Sequence, residues 1–208
     1  QSMANDPVFW QALLHNIIFI GAGASMLVIL GLFLAVLLEQ GLRGSNFFRG
    51  IFFIPTIMSL VVVGIIFVLL LSPELGLVNP LLRSAGLGQF QRAWLGDPKT
   101  ALPTVIGVDV WKNFGLSMFL FVAGLKGIPQ EYYEAASVDG ANKIRQFFFI
   151  TLPLLSPVIL FNLVMQMIGA FQTFTQAYII GGGRGGVLNS TLFYTLHLYI
   201  QGWTYHEM

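Results

Sequence analysis

The sequence contains no cysteine. Disulfides and thiolate-bound metals are therefore excluded, although this alone does not fix the compartment of any loop. Charge is nearly as scarce: Asp, Glu, Lys and Arg make up 9% of the 208 residues, whereas 56% are hydrophobic. A soluble core of this size does not need so much apolar surface, so the composition is that of a membrane protein. The ten Lys and Arg residues are scattered and the net charge is +1. No basic stripe exists, and nucleic acid is excluded as a partner. His15, His197 and His206 lie far apart and lack HExxH spacing, so neither a metal site nor the constellation of an intramembrane enzyme is visible. There is no P-loop. The run Gly181-Gly182-Gly183-Arg184-Gly185-Gly186 lacks the Lys-Ser/Thr pair and the strand-to-helix setting of a phosphate cradle, and reads as a linker.

What is present is long apolar runs. A bilayer core needs about 20 apolar residues in one helix. Residues 13–38 and 51–71 carry no charge, and neither does 146–183. A fourth run, 101–125, has the right length but holds Asp109 and Lys112, which must look inward or toward a polar end. The expected fold is all-α, a polytopic bundle with four membrane helices in this chain. The first run is too long for a cleaved signal peptide and has no basic region before it. Arg43, Arg49, Lys126, Lys143 and Arg145 fall in two short connections, 39–50 and 126–149, which places those connections on the cytoplasmic side. Residues 72–100, rich in Pro, Gly and Asn, and residues 181–208 then form external loops. Within the second, residues 191–203 have the aromatic content of an interfacial helix. Glu39 and Arg43, four apart, read as an exposed helix-end pair, and Pro55 marks a kink that neighbouring helices absorb.

The most distinctive stretch is polar and sits between two apolar runs: EAASVDGANKIRQFFFITLP, residues 134–153. Pro129 is suited to a helix start. Residues 130–138 favour helix, Gly140 suits the left-handed position that ends it, and Asp139 can cap the helix that follows. In that second helix Ile144, Phe147, Phe148 and Thr151 recur at helical spacing, leaving Asn142, Lys143, Arg145 and Gln146 toward water or headgroups. Ala135 and Ala136 permit close approach by another surface, and Glu134 offers it a charge-assisted hydrogen bond. Read from the residues alone, the same features also describe an ordinary interfacial loop.

Taken together, Glu134, Ala135, Ala136, Asp139, Gly140, Ala141, Phe147, Ile150, Leu152 and Pro153 resemble, in type and spacing, the cytoplasmic coupling loop of permease subunits in binding-protein-dependent ABC importers. The resemblance continues through Phe53-Ile54-Pro55, Gly76-Leu77-Val78-Asn79, Trp94-Leu95-Gly96-Asp97-Pro98, Trp111, and Gly181-Gly182-Gly183 with Asn189-Ser190-Thr191. Within the superfamily it is similar to the carbohydrate-importing branch, with its maltose and glycerol-phosphate permeases. It implies a multi-pass protein of a prokaryotic inner membrane that binds no cofactor or metal itself. ATP and Mg are then used by a cytoplasmic dimer of ATP-binding subunits docking on Glu134, Ala135, Ala136, Asp139, Gly140 and Ala141. It further implies a second permease subunit, an extracytoplasmic solute-binding protein and about six membrane helices. With Gln1 at one end and Met208 at the other, the chain is expected to be a single permease domain over 1–208 that lacks the first and last of them, with its coupling loop at 126–153. Transport of another polar solute, such as a glycerol phosphate, polyamine or amino acid, stays open, as does a passive channel or membrane scaffold.

Candidate pathway residues come from polar spacing and from the resemblance. Asn162, Gln166, Gly169, Thr173 and Gln176 share one face of a continuous helix, and Asp109, Lys112, Asn113 and Ser117 share a sector of another. Counted from the coupling loop, the sugar-contacting positions of the maltose relative correspond to Asp109, Lys112, Leu116, Gln166, Met167 and Ala170. Their residue types mostly differ, so no particular sugar is implied. Interhelical hydrogen bonding and an Asp109–Lys112 ion pair are the packing alternatives.

Overall fold

The computed structural model describes residues 6–40 and 44–204, and among these there is no β-strand. The helices are α1, Pro7–Glu39; α2, Ser45–Ile57; α3, Leu60–Leu70; α4, Val78–Ser84; α5, Pro98–Lys126; α6, Gln130–Val138; α7, Lys143–Leu154; α8, Ser156–Phe171; α9, Thr175–Ile180; and α10, Tyr194–Tyr199. Asp6 caps α1 by accepting from Val8 N at 2.9 Å, with Pro7 at a position that needs no donor. Asp97 does the same for α5 through Lys99 N at 2.9 Å. In both, an aspartate precedes a long apolar helix whose first residue is proline.

Two of the four expected spans are single helices, α1 and α5, of 33 and 29 residues. The other two are bent. Run 51–71 divides into α2 and α3 at an angle of 93°, and run 146–183 divides first between α7 and α8, at 60°. The count of spans is thus two unbroken helices, or four when each bent pair is one crossing. The larger bend lies at Met58-Ser59, where Ser59 is extended with ψ 138°, four residues beyond Pro55. At the smaller bend, Pro157 has no N–H to give to Pro153 O. The run expected to continue past residue 171 breaks again before α9.

The described residues divide into two compact units, one drawn from residues 6–23, Met58–Lys112 and 167–204, the other from 24–40, 44–57 and Asn113–Gln166. In the second, Leu32, Ala35 and Leu38 of α1 pack on Met118, Phe121 and Val122 of α5 and on Leu155. Ile29, Phe33 and Leu160 stay exposed, as suits lipid-facing positions. Between membrane helices lipid offers no hydrophobic driving force, so close packing of small residues and interhelical hydrogen bonds must hold the unit together. Both are seen. A Cβ on Gly31 would come within 2.5 Å of Ser117 Oγ, and one on Gly115 would collide with the carbonyl of Phe52. Ser117 Oγ donates to Leu27 O at 3.0 Å and accepts from Asn162 Nδ2 at 2.8 Å, tying α1, α5 and α8 at one buried point. Ser117→Ala removes the donor for one partner and the acceptor for the other. It is expected to lower thermal stability by about 1–3 kcal/mol, read as a lower melting midpoint of the full-length protein in detergent.

In the first unit Asn16, fully buried, donates to Ala170 O at 3.0 Å and accepts from Tyr194 N at 2.9 Å. The loop before α5 is organised around Asn79, whose Oδ1 accepts from Trp94 Nε1 at 2.9 Å and whose Nδ2 donates to Arg92 O at 3.1 Å. One expectation changes here. The glycine run is no free linker but a closed turn, with Gly183 N donating to Tyr178 O at 2.7 Å, Gly186 N to Gly181 O at 2.9 Å and Thr191 N to Gly185 O at 2.9 Å. His197 is buried, with Nε2 3.3 Å from Asp6 Oδ2, while Leu192, Phe193 and Leu196 around it are buried too. Glu39 bonds Arg49 at 2.6 Å; its expected partner Arg43 lies outside the described residues, as does His206.

Candidate functional site

Residues 129–155 lie entirely within the second unit. Pro129, extended at φ −60° and ψ 136°, immediately precedes α6. Gly140 follows at φ +78°, Gly140 N donates to Ser137 O at 3.1 Å, and Ala141 N donates to Ala136 O at 2.9 Å. These are the two bonds of a Schellman turn, which needs a left-handed residue at this place. The helix that follows is capped by Asn142, whose Oδ1 accepts from Arg145 N at 2.9 Å, and not by Asp139 as the sequence suggested. Asp139 instead ends α6, its N–H directed at Ala135 O at 3.1 Å.

All six candidate coupling residues come together on this short segment. Glu134, Ala135, Asp139 and Gly140 are exposed, and Ala136 and Ala141 are half-buried. No atom stands within 4 Å of where a Gly140 Cβ would be. Two further members of the surface escaped the sequence reading, Tyr132 at 53% exposure and Val138 at 88%. Large apolar groups this open on a polar segment are a signal for a covering partner.

The second half departs from the expected amphipathic face. Phe147–Thr151 forms a π turn, whose i→i+5 bond draws residues five apart toward one side. In a regular α-helix they would stand about 140° apart. Phe147 therefore packs on the core and Thr151 is buried, while Ile144, Phe148 and Phe149 are exposed. Gln146 turns inward rather than to water, its Nε2 donating to Ser137 Oγ at 2.8 Å and Ala141 O at 3.2 Å.

The pathway candidates are divided between the units. In the first, Asp109, Lys112 and Ala170 are buried, Met167 is exposed and Thr173 is half-buried. In the second, Asn162 is buried, Asn113 and Gln166 are half-buried and Leu116 is exposed. The expected five-residue stripe does not lie on one helix. Thr173 follows the end of α8, where its Oγ1 donates to Gly169 O at 3.0 Å, and Gln176 is buried on α9. For Asn162 the packing alternative holds at Nδ2, which Ser117 occupies.

Residues 27–203, which include every candidate residue, match the binding-protein-dependent transport system inner membrane component. The chain belongs to that family. This permease component is 43% identical to the probable ABC transporter permease YesP of Bacillus subtilis, over 100% of this chain and 67% of YesP. It is 42% identical to YurN of the same organism, over 90% of this chain and 65% of YurN. With the lactose transport permease LacF of Rhizobium radiobacter it shares 39% identity over 98% of this chain and 68% of LacF. It thus spans about two thirds of the length of these relatives. In fold it is similar to a bacterial ABC transporter that imports the acidic polysaccharide alginate, with a TM-score of 0.84 at 22% identity, covering 99% of this chain and 71% of the other. A second structure of an alginate transporter, in complex with a periplasmic protein bound to an alginate pentasaccharide, gives a TM-score of 0.81 at 24% identity over 98% of this chain and 70% of the other.

Proposed function

We propose that the chain is the translocating part of an ATP-driven sugar importer and that α6 with its Schellman turn is where a cytoplasmic ATPase engages it. The observation that carries this reading is the exposure of Glu134, Ala135, Asp139 and Gly140 on a capped, nine-residue helix with an almost bare Val138 beside them. A segment that served only to connect two membrane helices would not need an apolar residue at 88% exposure. Sugar as the substrate class rests on the relatives, LacF for lactose and the AraP permease of Bacillus subtilis for arabinooligosaccharides. Closure of an ATPase dimer would move the segment and switch the pathway between outward and inward access. A second permease subunit and an external solute-binding protein complete the assembly, in an inner membrane crossed several times.

The test is purification of the full-length protein from membranes. A cytoplasmic ATPase is expected to co-elute, and its hydrolysis to rise when sugar-loaded binding protein is added. If neither happens in intact membranes, the importer reading fails and a channel or scaffold takes its place. In the same assay Lys112→Met is expected to weaken the response at limiting sugar, since Asp109 and Lys112 are charged groups buried at 9% and 7% exposure within a membrane helix. An unchanged response leaves Lys112 a packing role.

A further inference from the structure

The importer reading leaves open how a push on α6 reaches the membrane helices. The backbone link is weak: α6 has nine residues, the helix after the turn has only four before the π turn begins, and helices this short are marginal alone. Side chains supply a second link. The Nε2 of Gln146 donates to Ser137 Oγ at 2.8 Å and to Ala141 O at 3.2 Å, with Tyr133 O at 3.4 Å sharing the amide. Ser137 Oγ in turn donates to Tyr133 O at 2.7 Å. Across the same gap the Tyr133 hydroxyl meets Thr151 Oγ1 at 2.9 Å, and Thr151 Oγ1 lies 3.5 Å from Gln146 O. The ring closes on itself. Its two anchor points on α7 are five residues apart and reach the same side because the π turn lies between them. Thr151 is buried at 5% exposure, next to Leu152 and Leu155 of the packed core.

We propose that Gln146 is a positioning residue: the ring its amide closes with Ser137, Tyr133 and Thr151 latches α6 to α7, so that docking helix and membrane-entering helix move as one lever. The proposal rests on the importer reading for its function, but the latch itself is measurable without it. Every contact of the Gln146 amide uses it as a donor. Gln146→Glu keeps the size and shape of the side chain while replacing the donor by an acceptor-only carboxylate, which would face the carbonyls of Ala141 and Tyr133. A role in filling space survives that change; a latch does not.

These 208 residues contain no cysteine; once any cysteine elsewhere in the assembly is replaced, Glu131→Cys and Phe149→Cys give a unique pair for spin labels, both at exposed positions. The pair is placed in the full-length permease, in its complete complex in nanodiscs. In Gln146→Glu the label distance distribution is expected to widen and sugar moved per ATP to fall roughly tenfold, with the ATPase still co-eluting. Gln146→Lys, which retains a donor, is expected to recover part of both. A distribution and a transport ratio that both stay unchanged in Gln146→Glu overturn the latch. If the parent complex shows no sugar-stimulated hydrolysis, the importer reading fails, and the label distances alone decide whether the ring holds the two helices together.

Discussion

Gly115→Val is expected to cost the full-length protein about 3 kcal/mol or more of stability and much of its folded yield in membranes. The carbonyl of Phe52 and the Thr56 hydroxyl stand where a Cβ on Gly115 would go. A crowding side chain can often rotate away, but a backbone carbonyl moves only with its helix. Insertion of the larger residue would therefore force α2 off α5, and with it the contact between Phe52 and Phe114, whose ring centroids are 5.8 Å apart. Gly107, eight residues earlier on α5, has no atom within 4 Å of its would-be Cβ. Gly107→Ala should stabilise by roughly 0.5–1 kcal/mol, the helix-propensity difference. The opposite signs separate close approach from any general effect of glycine in this helix. Melting of the two variants beside the parent in one detergent decides the matter, and a Gly115→Val midpoint equal to the parent's would show that α2 and α5 do not meet here.

Apolar run length reveals that helices exist, but not where they bend. Runs 13–38 and 101–125 became single helices even though the first holds a π segment at Ile20–Ala24 and the second starts near Pro103. Runs 51–71 and 146–183 carry the same hydropathy, yet Ser59 turns extended and α8 stops at Phe171. Neither event leaves a mark on hydrophobicity. Proline gave a partial signal: the bends fall near Pro55 and Pro157, but the sequence does not say whether a missing amide is absorbed as a kink or ends the helix. The pathway stripe failed for this reason, since a spacing argument holds only along an unbroken helix. Pairing across the turn is equally hidden from spacing: Arg49, from the next helix, bonds Glu39 at 2.6 Å.

The coupling segment was more legible because its signals are local. A glycine after a run of helix formers specifies a left-handed cap with few alternatives, and Gly140 has it. Identity of the next cap was ambiguous, as Asp139 and Asn142 are both good candidates; the Schellman turn uses Asp139 to end α6 and so leaves the role to Asn142. Gln146 was placed on the wrong side, toward water. Its inward direction depends on the π turn that begins one residue later, and a π turn shifts every position beyond it by about one residue against the α-helical wheel.

Gly140→Val is expected to abolish most transport while leaving the protein folded and inserted. Since no atom lies within 4 Å of the new side chain, nothing is displaced, and the whole cost is conformational. A non-glycine residue held in the left-handed region costs about 1–2 kcal/mol, and a β-branched one is the least suited to it. The Schellman turn would be the minor form, and an ATPase that requires it would see the competent segment reduced by roughly 5-fold to 30-fold. Gly140→Asn, a residue that tolerates the left-handed region, should retain most of the function. Sugar uptake and co-elution of the ATPase, measured for both variants beside the parent, carry the test. The order glycine, asparagine, valine follows from the φ of +78°; an asparagine variant as damaged as the valine one would mean that the partner touches Gly140 itself, so that any side chain there blocks docking, and equal transport in all three would remove the turn from the coupling path.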